Sequence, residues 1–283
     1  MRQGGKNRHA ADTQNPKDNG ADAIIYASML AVILGLFAAS EASPRKPSGQ
    51  EHSIVSRSLS CNSLTFGLSA EHCAWMSAIG MAGQGVNAYT NNGGIWIGSD
   101  GPNTFTFMND ATTTAASLIL LVWAQPAGDY QASFMNVRAP AISYSLPNAG
   151  DSVTISIANG VAGAWSALED FATALSSYGQ VFNTWGEFST GNSATVDVSR
   201  EANMAGSFMV LRVANNGCTA DMGTCVYACT GGANSCGAAD TYGLFNCATG
   251  SQAGANQYMV NGNPTGGCQG WSNGGHVDVW LMS

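Results

Sequence analysis

The chain has 283 residues, 45% hydrophobic and only 10% charged, with a formal net charge of −8. No lysine follows Lys46, and from Ser58 onward three arginines, Arg138, Arg200 and Arg212, stand against thirteen acids, leaving −10. That balance excludes nucleic acid and anionic membrane as natural partners, and a lysine-free body excludes Schiff-base catalysis and a P-loop.

Taken in order, residues 1–42 read as a signal peptide. Arg2, Lys6, Arg8 and Lys17 precede an apolar run from Ala23 to Ala39, and Ser40-Glu41-Ala42 supplies small residues before a cleavage point. Because that run of 17 residues approaches the roughly 20 that span a bilayer, a retained anchor is the competing reading. Residues 43–60, polar and rich in Pro and Ser, read as a flexible leader. The remainder, 61–283, is expected to form one domain.

Eight cysteines follow the signal: Cys61, Cys73, Cys218, Cys225, Cys229, Cys236, Cys247 and Cys268. In an exported chain an even number implies disulfides, here Cys61 with Cys73 and the later six among themselves. The Cys225 to Cys229 spacing is zinc-like, but no Cys-x-x-Cys pair occurs and histidines number four. No metal and no cofactor is expected.

Short alternating segments separated by turns such as Asn92-Gly93-Gly94 and Pro147-Asn148-Ala149-Gly150 predict an all-β sandwich. Phe105 and Phe107 alternate with Thr104 and Thr106. Ile119, Leu121 and Trp123 share a face, as do Ile142, Tyr144 and Leu146, and Val153, Ile155 and Ile157. From Ala164 to Tyr178, the spacing of Trp165, Leu168, Phe171 and Leu175 predicts a short helix. Residues 217–268, dense in Gly, Asn and Ala, predict a loop subdomain ordered by disulfides more than by a core of its own. The last strand should turn Val277, Val279 and Leu281 inward. His276 and Asp278 share its other face, where a cross-strand hydrogen-bonding role is expected because no nucleophile is placed beside them.

Two segments carry the candidate chemistry: TWGEFST from Thr184 to Thr190 and ATVDVSREANMAG from Ala194 to Gly206. They place Glu187, Asp197 and Glu201 on neighbouring extended stretches ahead of the cysteine cluster. With NTFTFMND at 103–110, LILLVWAQP at 118–126 and GDSVTISIANG at 150–160, they follow an order that resembles the thaumatin-like superfamily, closest to fungal secreted allergen-like and effector-like proteins. The resemblance implies a thaumatin-like β-sandwich with a disulfide-rich loop subdomain and an acidic cleft associated with β-1,3-glucan. It makes Glu187 the cleft glutamate and Asp197 the aspartate opening the second motif. Glu201 falls one place earlier than the next acid of that family, and AGAWSALED holds no counterpart of its cleft arginine.

The expected function is therefore non-catalytic binding of cell-wall polysaccharide, or of a host extracellular protein, by a secreted monomer. Weak β-1,3-glucan hydrolysis is the alternative, with Glu187 and Asp197 as acid and base. Hydrolysis needs two carboxyls about 5–5.5 or 6.5–9.5 Å apart, one with a raised pKa. The plain alternative for that pair is hydrogen-bonded turn carboxylates, and for Arg200 and Glu201 a solvated loop. Binding would use Glu187, Asp197, Glu201, Trp185 and Trp271. Trp271 is the tryptophan expected at the surface, since polar, flexible residues flank it.

Overall fold

In the computed structural model, which describes residues 59–111, 117–125, 139–177, 179–238 and 240–281, fifteen strands and one helix are assigned. The signal, most of the leader, Arg138 and Tyr178 lie outside the described residues. No helix among those described is long and apolar enough to cross a membrane.

Period-two patterning builds the first sheet. Along β2 (Asn103–Asn109) buried and half-buried positions alternate, with Phe105 and Phe107 inward as their threonine neighbours demand. The sheet has six strands in the order β1 (Ile95–Ile97), β5 (Ser152–Ile157), β2, β15 (Gly275–Leu281), β9 (Met209–Val213) and β10 (Thr219–Ala220). The terminal strand β15 runs parallel to β2, with Val277 opposite Phe105, and antiparallel to β9. Val277, Val279 and Leu281 are buried, as expected. On its other face His276 bonds the Thr104 hydroxyl across the strands (2.8 Å) and the Asp278 carboxylate (3.0 Å).

The second sheet follows the order β12 (Tyr242–Phe245), β11 (Val226–Cys229), β8 (Thr195–Ser199), β7 (Trp185–Ser189), β6 (Ala162–Glu169), β3 (Leu118–Ala124) and β4 (Ile142–Leu146). A hairpin of β13 (Ala255–Val260) and β14 (Asn263–Cys268) joins it where Cys268 pairs with Val196. The result is the all-β, two-sheet architecture the sequence predicts. Between the sheets, Phe105 and Phe107 meet Trp165 edge-on, with ring centroids 5.7 and 5.4 Å away, and Phe188 and Val196 complete the layer.

The helix expected from Ala164 to Tyr178 is overturned. Ala164 to Glu169 belong to β6, whose Trp165 and Ala167 enter the inter-sheet core while Ala164 and Leu168 enter a second core on the opposite side. A central strand covered on both faces loses its visible alternation, and three- and four-residue spacings then arise by coincidence. The described helix is α1 (Ala70–Ala78), whose N-cap Ser69 accepts from the His72 N–H at 3.1 Å. The predicted Cys61–Cys73 disulfide ties it to the start of the domain. Trp75 and Met76 of α1 pack in that second core with Ile119, Leu121, Trp123, Leu168 and Trp185. Leu59, at the end of the expected flexible leader, is buried there too.

The later six cysteines pair among themselves, as Cys218–Cys268, Cys225–Cys247 and Cys229–Cys236. The segment they staple is more regular than expected. β11 extends the large sheet parallel to β8, and Cys218, Cys225, Cys247 and Cys268 are part of the inter-sheet core.

Candidate functional site

Three acids meet on the side of the large sheet that faces away from the sandwich core. Within β7 and β8 the alternation sends Phe188, Val196 and Val198 inward, which turns Trp185, Glu187, Asp197 and Ser199 outward. Glu187 sits directly opposite Asp197 in the antiparallel register, and Trp185 opposite Ser199. Gly186 separates Trp185 from Glu187 because a β-carbon there would come 2.0 Å from the Trp165 ring. That contact is the physical reason for glycine in the TWGEF segment.

Burial at these acids is nearly total: 4% exposure for Glu187, 0% for Asp197 and 1% for Glu201. Strand β14 lies against Asp197 so closely that a β-carbon on Gly267 would be 3.1 Å from its Cβ. Burial raises the Glu187 pKa to about 7, opposed by a hydrogen bond from Ser199. Asp197 is pushed well above the usual carboxylate range by burial, then by the charges of Glu187 and Glu201. Glu201 is raised by burial and then by Glu187. The carboxyl oxygens of Asp197 and Glu201 have no hydrogen-bond partner. These acids are thus neither solvated nor mutually satisfied, which corrects the plain turn-carboxylate and solvated-loop readings. Unpaired buried polar groups are uncommon and cluster at sites of function.

Arg200 does not neutralise them. Its guanidinium donates to the backbone carbonyls of Met222 (3.2 Å) and Met204, and its own N–H donates to the Tyr227 carbonyl at 2.9 Å. The Glu201 backbone is held by its carbonyl, which accepts from the Cys236 N–H at 2.9 Å. The Cys229–Cys236 disulfide therefore fixes the wall in which Glu201 sits.

Beside Glu201 opens a cavity of about 680 Å³ between the loop after β6 and the Cys229–Cys236 loop. Glu201, Leu175, Phe182, Ser176, Thr241 and Asp240 are among its lining residues. Glu187 and Asp197 do not line it, so of the three acids only Glu201 borders the open space.

Trp271 is corrected: at 1% exposure it is packed on Phe105, ring centroids 5.8 Å apart, and its indole N–H donates to the Cys268 carbonyl at 3.1 Å. A ring so enclosed offers no face to a sugar. The polar residues flanking it are the turns around an inserted side chain. Trp185 is likewise buried, its indole N–H donating to the Val181 carbonyl at 2.9 Å. The cavity residues missed by sequence reasoning lie on irregular segments with no periodicity. Phe182, whose exposed side chain is among the cavity lining, lies on such a segment.

Among the described residues, one group of three potential metal ligands has its atoms within 4.8 Å of one another: Cys218, Cys225 and Cys268, all engaged in disulfides. The carboxyls of Glu187, Asp197 and Glu201 do not converge that closely. Comparison of the sequence with known protein families finds no match, and comparison with curated proteins finds no significant relative.

Proposed function

We propose that this chain is a secreted, disulfide-stabilised protein of thaumatin-like type, akin to fungal allergen-like and effector-like proteins, that binds cell-wall polysaccharide without cleaving it. The observation that carries the reading is the 680 Å³ groove at Glu201, which combines hydroxyl-bearing Ser176 and Thr241 with an exposed Phe182 ring. Sugar recognition uses that combination of hydrogen-bonding groups and an apolar stacking face. Four disulfides suit an oxidising, extracellular setting.

The test is depletion of the oxidised, secreted protein by insoluble β-1,3-glucan, chitin and cellulose. Depletion by at least one polymer, weakened about tenfold by Phe182→Ala, is the expected result, since a stacked ring contributes roughly 1 kcal/mol or more. No depletion by any polymer overturns the reading and makes a host extracellular protein the better partner.

A second reading, weak β-1,3-glucan hydrolysis, is favoured by one observation: Glu187, raised to about 7, stands directly across from Asp197. A carboxyl with a raised pKa beside a second carboxyl is one part of what hydrolysis requires. Against it, both residues are buried and neither lines the cavity at Glu201. Release of reducing sugar that disappears in Glu187→Gln would restore the hydrolase reading.

A further inference from the structure

We infer that the outward face of the six-stranded sheet is a binding face for an uncharged polysaccharide chain, with Trp280 as its stacking surface. This face shares no residue with the groove at Glu201 and stands whether or not that groove binds glycan.

Strand register lays the face out. Met108, Trp280 and Val210 are opposite one another on β2, β15 and β9, and two positions along the same strands stand Thr106, Asp278 and Arg212. The alternation that buries Phe105, Val277, Val279 and Leu211 in the sandwich core turns these six residues to the opposite side, where each is half-buried or exposed. Trp280 is singular. The chain has seven tryptophans, and the other six are buried, at 7% exposure or less. A half-buried indole between Met108 and Val210 presents apolar surface, and the neighbouring row presents a hydroxyl, a carboxylate and a guanidinium. A sugar ring has the matching division into an apolar C–H face and hydroxyls that both donate and accept.

The polar groups are already held in place. His276 bonds the Thr104 hydroxyl at 2.8 Å and the Asp278 carboxylate at 3.0 Å, and the Thr106 and Thr154 hydroxyls bond each other at 2.8 Å. The His276 and Asp278 side chains nevertheless keep 37% and 33% exposure. Groups fixed before binding lose less freedom on meeting a ligand.

Charge and area choose the occupant. Asp278 is opposite Arg212 across β15 and β9, so the formal charges of that row cancel, and a charged polymer would be opposed by one of them. Four strands about 4.8 Å apart, with outward positions about 6.6 Å apart along each, give a face of roughly 200 Å². A stable protein interface needs about 800 Å² from each partner. The face thus has room for a short stretch of glycan and too little for a second copy of the chain.

The experiment is acrylamide quenching of tryptophan fluorescence in the intact, oxidised protein. Trp280 should be the quenchable ring, because the other six are buried, and no tryptophan is among the residues lining the groove. The probes are soluble oligomers of β-1,3-glucose, β-1,4-glucose and β-1,4-N-acetylglucosamine, with an oligogalacturonate as the charged comparison. At least one uncharged oligomer should protect Trp280 saturably, and the oligogalacturonate should need about tenfold more ligand or greater. Trp280→Ala should remove the quenchable signal. Asp278→Asn with Arg212→Gln, which keeps Trp280 and alters only positions outside the core, should weaken protection about tenfold. Absence of protection by every uncharged oligomer, quenching that persists in Trp280→Ala, or protection unchanged in the Asp278→Asn, Arg212→Gln variant overturns the assignment. Equal protection by oligogalacturonate overturns the preference for an uncharged chain, and a dimer in sedimentation that Trp280→Ala dissolves replaces it with self-association. Polymer depletion that Phe182→Ala weakens, without protection of Trp280, overturns this face and leaves the groove reading standing.

Discussion

The outward side of the large sheet is built in two contrasting halves. Around β3 and β6 it presents Ile119, Leu121, Trp123 and Leu168 to α1, an apolar surface under an apolar cover. Along β7 and β8 it presents Glu187 and Asp197, with Glu201 just beyond, walled by β14 and the cysteine-rich segment. Trp185 stands at the border, in the apolar core on one side and adjacent to Glu187 on the other. The same sheet thus carries one half that gains free energy from burial and another that loses it. The contrast teaches that the acidic half is held together by its surroundings, above all by Cys218–Cys268, Cys225–Cys247 and Cys229–Cys236.

The largest expected effect lies on the apolar half. Trp75→Ala empties a buried site against Phe171, whose ring centroid is 4.8 Å away, and should cost about 3–5 kcal/mol in denaturant unfolding. A cost below about 1 kcal/mol would mean that α1 contributes little.

Next comes pH, which separates the halves by sign. Glu187 has a folded pKa of about 7 against 4.5 unfolded, and Asp197 and Glu201 are also raised. The folded protein therefore binds more protons than the unfolded chain between these values. Its extra stability is fully present below about pH 4.5 and is lost as pH rises through 7, at up to about 1.4 kcal/mol per pH unit for each proton involved. Urea titrations at pH 4.5 and pH 8 should show the acidic condition as the more stable, and a reversed order would remove the acids from the account.

A smaller change is expected from Asp197→Asn, which removes a buried ionisable group at nearly unchanged shape. At pH 8 it should stabilise the fold by about 1–2 kcal/mol and flatten the pH profile. Destabilisation at that pH would indicate that Asp197 has a bound partner in solution. Cys229→Ser with Cys236→Ser should cost about 2 kcal/mol, less than loss of either longer-loop disulfide of the cysteine-rich segment, because it closes a loop only 7 residues long. Its further consequence should fall on the groove: glycan depletion drops together with that loss of stability.

How far these features were readable depends on how local their causes are. The exposed faces of β2 and β15 show their alternation in plain residues, so Phe105, Val277 and Val279 were correctly turned inward. Glu187 and Asp197 were readable as partners because each lies in a short extended run, although nothing local revealed the depth at which they lie. β6 misled for a related reason. Its two covered faces erased the alternation that would have marked it as a strand, and α1, with little amphipathic contrast in AEHCAWMSA, left no periodic signal.

By itself, then, the chain determined the class of fold, the Cys61–Cys73 pairing, the inward faces of the exposed strands and the acids that share one surface. Those properties follow from backbone periodicity, side-chain alternation and short loop closure, all of which act over a few residues. Only the tertiary structure decided that Trp271 fills the core, that Arg200 donates to backbone carbonyls and that Glu201, of the three acids, lines the cavity beside the Cys229–Cys236 loop. Burial and pairing at those positions depend on segments far away in sequence folding over them, so no local pattern of residues encodes them.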